Sequence, residues 1–152
     1  MSQKNKPSTI AWMITHLGYP LLPVLIEAGI RLIVFDWEIR IDTMSAATLA
    51  MSVGLVALFV NQSIRADSGT LGDQVETDTR NGTCTFFTGI GIIFFILFGL
   101  IVLLQAVVAE KDMVNLRSTL QGFQHVVFFF AAVPIFSAVA AQRTYKLRAE
   151  IV

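Results

Sequence analysis

FFTGIGIIFFILFGLIVLLQAVVA, residues 86–109, carries no charge, and only Thr88 and Gln105 bring a side chain that forms strong hydrogen bonds. A bilayer's hydrocarbon core is crossed by about 20 helical residues. A helix that is apolar all round must be buried in protein or in lipid, and lipid is the simpler answer for so long a run. Three further apolar runs flank it, at about 9–35, 44–65 and 123–142. The fold class that follows is all-α: a polytopic membrane protein with four transmembrane helices.

Bulk composition agrees, since 55% of the 152 residues are hydrophobic and 14% are charged, against roughly a quarter charged in soluble domains. The tails and connectors left over are too short to bury a soluble core, so residues 1–152 form a single four-helix transmembrane domain. Lys4 and Lys6 precede the first apolar run as in a secretory signal. That run is too long for one and lacks a small-residue cleavage site, which makes it a retained first helix.

Lys and Arg concentrate on the cytoplasmic side of short-looped membrane proteins. With both termini inside, the inner side holds seven cations, Lys4, Lys6, Arg65, Arg80, Arg143, Lys146 and Arg148, and the outer side holds three, Arg40, Lys111 and Arg117. Interfacial aromatics follow the same division, Trp12 and Tyr145 inside and Trp37 outside. The sequence therefore predicts cytoplasmic termini in a cell membrane, with a bacterial inner membrane as the expected location.

Within the spans, Glu27 and Arg31 stand four residues apart, the spacing that stacks opposite charges on one helical face. Ionised groups in hydrocarbon are costly and mark conduction, gating or coupling sites. The plainer alternative is an ion pair that satisfies itself, with Arg31 reaching the outer interface. Gly18, Pro20 and Pro23 in the same span predict a kink or a restart of the helix.

The second span opens with Asp42 and Thr43 as candidate caps. Ala46, Ala50, Gly54 and Ala57 then run down nearly one side. Small residues at such spacing let helix backbones approach closely in lipid, so this stripe is a helix contact, either with the first helix or with the second helix of another copy. The third span suits lipid or tight packing. The fourth begins near Gln124 and His125, carries Phe128, Phe129 and Phe130, and is predicted to kink at Pro134.

The connector at 66–84 includes Asp73, Glu76 and Asp78 among Gly, Ser and Thr, a polar composition that does not pack a core. It reads as a cytosolic docking loop or as a solvated turn. The basic tail, with Arg143, Lys146 and Arg148, suits anionic lipid headgroups.

Chemistry-bearing clusters are not visible. Two histidines far apart, one cysteine (Cys84) and no nucleotide or phosphate loop point to no enzyme, no metal site and no cofactor. Zero net charge and no basic aromatic surface predict no direct binding of nucleic acid. Two functions remain. One is a membrane scaffold or sensor that homo-oligomerises and engages a cytosolic partner; the other is an oligomeric ion-conducting pore lined by Glu27 and Arg31 or by Asn61 and Gln62. A pore wants a polar stripe along a whole helix, and no span has one, which favours the scaffold.

Four passes, both ends inside and almost no extramembrane mass: this layout resembles the small membrane subunits that accompany a cytosolic effector in bacterial antiviral defence, such as that of Kiwa-type systems. The resemblance covers topology, and no residue is carried over from it. It implies a homo-oligomer that perceives a disturbance at the envelope and engages a soluble effector.

Overall fold

The computed structural model describes residues 8–34, 45–66, 74–111 and 114–148. These form helices α1 (Thr9–Val34), α2 (Ala46–Ala66), α3 (Gln74–Lys111) and α4 (Val114–Tyr145). Among the described residues there is no β-strand, and each of the four helices is long and apolar enough to cross a membrane.

Helix α1 starts at Ser8, whose Oγ accepts from the Ala11 N–H at 3.0 Å, as an N-cap should. It runs on through Gly18 and the two prolines without a restart. Instead Ile14–Gly18 widens into a π-helical turn, with Tyr19 N–H bonded back to the Ile14 carbonyl. The wide turn ends just before Pro20, which has no N–H to continue the ordinary ladder.

Helix α2 is the hub. The other three pack around it, α3 most extensively, and 61% of its most apolar window is buried against 22% or less in the others. Composition explains the position, because Ala46, Ala50, Gly54 and Ala57 leave room for neighbouring backbones, and all four are buried inside the protomer. At Gly54 an added methyl would stand 3.2 Å from Cε2 of Phe95 on α3. At Gly54 the stripe therefore meets α3 of the same chain, and a Cβ on Gly91 of α3 would stand 3.7 Å from that of Ala57.

Helix α3 also departs from its predicted span, since it begins at Gln74. Much of the polar connector is therefore helical, and Arg80 and Cys84 in it are buried. Thirty-eight residues at about 1.5 Å each reach about 57 Å, nearly twice the roughly 30 Å hydrocarbon thickness. Helix α4 likewise starts at Val114, ahead of its predicted 123, and passes through Pro134.

The last helix closes in a Schellman turn. Leu147 N–H bonds the Gln142 carbonyl at 3.2 Å, and Lys146 between them has φ 51°, the left-handed cap position. The turn folds Leu147 back into a buried cluster with Trp12, Ile64, Cys84 and Phe87. Both ends of the described chain therefore meet at one end of the bundle, while Ala46, Val53, Phe94 and Val127 belong to a second cluster.

Outside these clusters the helices present apolar side chains outward. Phe129 and Phe136 on α4 are 76% and 73% exposed, and Ile10, Leu25 and Ile33 on α1 are also exposed.

Candidate functional site

The side-chain hydrogen bonds that join one helix to another described below gather in two places, near opposite ends of α2. At its start, Arg31 donates to Glu27 Oε1 from Nε at 2.9 Å and from a terminal nitrogen at 2.7 Å. The same oxygen accepts the backbone N–H of Ser45 at 2.9 Å. Ser45 in turn caps α2, its Oγ accepting from Thr48 N–H at 3.2 Å. Ser45 and Glu27 complete the reciprocal pattern of a capping box, except that the glutamate comes from another helix. Asp42 and Thr43, the caps read from sequence, lie outside the described residues.

At the other end, the end where the termini meet, four contacts tie the helices together. Trp12, buried on α1, donates Nε1–H to Ser63 Oγ at 2.6 Å. Arg80, buried on α3, donates from Nε at 2.9 Å and from a terminal nitrogen to the Ile64 carbonyl. Ile64 lies in the last turn of α2, where carbonyls lack helical partners and a cation is favourable. The guanidinium also lies 5.9 Å from the Tyr145 ring centroid, within cation–π range. Tyr145 Oη lies 2.7 Å from Thr83 Oγ1, joining α4 to α3.

Slightly deeper, Asn61 donates to Thr88 Oγ1 at 3.0 Å and accepts from Arg65 Nε at 3.3 Å. Thr88 passes its own hydroxyl hydrogen to the Cys84 carbonyl at 2.9 Å. Among the described residues no buried side-chain nitrogen or oxygen lacks a partner.

Glu27 and Arg31 come together. Ala46, Ala50, Gly54 and Ala57 line the interior. Asp73 lies outside the described residues; Glu76 is in the first turn of α3 with its side chain outside them; Asp78 is exposed on the same helix. His125 is exposed, its Nδ1 2.8 Å from the Gln121 carbonyl. Sequence reasoning missed Arg80 as a buried helix cap and Tyr145 as its cover. Arg80 sat in a run of Thr, Asn and Gly that resembles a loop, and only the position of α2's last turn shows what it serves.

Comparison of the chain with protein-family models, curated sequences and solved structures finds no match.

Proposed function

We propose that this protein is a small multi-pass membrane scaffold or sensor subunit that homo-oligomerises and presents its termini end to a cytosolic partner. The observation that carries the proposal is the pairing of intramembrane polar groups with one another. Glu27 serves Arg31 and the start of α2, and Asn61 serves Thr88 and Arg65. A conducting path needs polar groups free to replace an ion's hydration along its length. The groups bonded between helices sit in two separate clusters, at opposite ends of the hub helix, and act as fasteners.

The termini end suits a docking role. The first turns of α3, including exposed Asp78, extend the longest helix, and Arg80 and Tyr145 hold it against the end of α2 and the last turn of α4. Such a braced surface loses little conformational entropy when a partner binds. With the small-residue stripe occupied inside the protomer, self-association falls to outer faces such as that of Phe129 and Phe136. Both termini lie in the cytoplasm on this reading. The topological likeness to Kiwa-type membrane subunits makes antiviral defence, with a soluble effector, the process to test first.

Reconstitution separates this function from a pore. Purified protein in liposomes should show a defined oligomer and no ion flux, and neutralising Asp73, Glu76 and Asp78 together should weaken recovery of the partner. Ion flux that changes in Glu27→Gln or Arg31→Gln would establish the pore instead.

A further inference from the structure

Beside the Trp12–Ser63 contact a recess of about 520 Å³ opens outward between α1, the last turns of α2 and the chain just beyond α4. Its wall is chemically sorted. Thr15, His16, Gln62, Ser63 and Arg148 supply polar groups, Phe59 lies about one turn deeper along α2, and none of the lining residues is acidic.

The bonds already described determine what these groups still offer. Ser63 Oγ accepts from Trp12, so its hydroxyl hydrogen is free to donate outward. His16 Nδ1 lies 3.0 Å from the Trp12 carbonyl, which only accepts, so Nδ1 carries the proton. The ring, stacked 4.8 Å from the Trp12 indole, keeps Nε2 as an acceptor for a ligand hydroxyl. Arg148 is exposed and cationic, and a guanidinium matches the geometry of phosphate oxygens. A helix C-terminus would ordinarily repel an anion placed nearby. Arg80 counters that here by holding the Ile64 carbonyl, so the end of α2 tolerates negative charge.

We propose that this recess binds the headgroup of an anionic phospholipid that carries free hydroxyls, of the phosphatidylglycerol class. The phosphodiester sits at Arg148 and the Ser63 hydroxyl, a headgroup hydroxyl donates to His16 Nε2, and the start of an acyl chain runs along Phe59. The site rests on the bilayer placement of the helices but not on the scaffold function. A soluble phosphate ester shares the headgroup's chemistry, and Phe59 below the polar rim is what favours the lipid.

The test uses the full chain purified in detergent, with lipid retention read by native mass spectrometry. One phosphatidylglycerol should be held in preference to phosphatidylcholine, and Arg148→Gln should lower its retention about fivefold, the factor expected for one headgroup-level cation. Arg143→Gln, which removes an exposed cation on the same tail that does not line the recess, should lower retention by clearly less than Arg148→Gln does. Gln62→Leu provides a second change within the recess and should also weaken it. Equal retention of the two lipids, or equal losses in both arginine variants, would overturn the site. Displacement of the lipid by millimolar glycerol phosphate would assign the recess to a soluble ester and overturn the lipid proposal. A chain that stays monodisperse without detergent would instead fail the bilayer placement, and is recognised before any lipid is added.

Discussion

Glu27 Oε1 lies 2.9 Å from the backbone nitrogen of Ser45, so a carboxylate on the first helix secures the start of the second. The same oxygen neutralises Arg31, and the pair is therefore both an ion pair and an interhelical cap. This double use gives both charged groups a partner within an otherwise apolar helix.

Removing that carboxylate should loosen the α1–α2 junction. Glu27→Ala is expected to destabilise the fold by about 2 kcal/mol, the scale of hydrogen bonds to a charged group. Glu27→Gln keeps an acceptor for Ser45 and should cost about half as much. Equilibrium unfolding in mixed micelles measures both, and equal losses would show that the cap contributes nothing.

Arg80 and Tyr145 should behave as a coupled pair. Arg80→Ala leaves the Ile64 carbonyl buried without its donor and is expected to cost about 2 kcal/mol. Tyr145→Phe keeps the ring beside Arg80 but loses the Thr83 contact, for about 0.6 kcal/mol. In a double-mutant cycle, Arg80→Ala and Tyr145→Ala together should cost less than the sum of the single changes; strict additivity would mean that the ring does not engage the guanidinium.

Gly54 tests where the small-residue stripe is used. Leucine there collides with Phe95 and should destabilise the protomer by about 2 kcal/mol through overpacking. Oligomer mass in detergent should stay the same for whatever fraction remains folded. A change in mass with unaltered stability would place the stripe between chains.

Lys146 occupies a left-handed backbone position that glycine adopts without strain. Lys146→Gly should therefore stabilise the closing turn by about 1 kcal/mol, while Lys146→Val should weaken it. Release of Leu147 from its cluster can be followed by amide exchange at its N–H, which is bonded to Gln142.

Much of the architecture was legible in the sequence, for a local reason. In hydrocarbon every backbone N–H and C=O must be satisfied within its own segment, so an apolar run of sufficient length announces a helix regardless of what surrounds it. Residues 86–109 needed no partner to be recognised, and Glu27 and Arg31 were found from spacing alone. The boundary at residue 74 was not legible, because Gln74 to Thr85 is polar enough to pass for a connector. It is helical where Arg80 and Cys84 pack into the interior beside the end of α2.

The sequence by itself thus determined that four helices are long and apolar enough to cross a membrane, and where polar residues interrupt them. Only the tertiary structure decided that α2 is the hub, that Gly54 receives Phe95 of α3 in the same chain, and that Glu27 and Arg80 cap its two ends. Each of these contacts joins residues from different helices, and such matches depend on side-chain shape and hydrogen-bond geometry across the interface, which no single segment encodes.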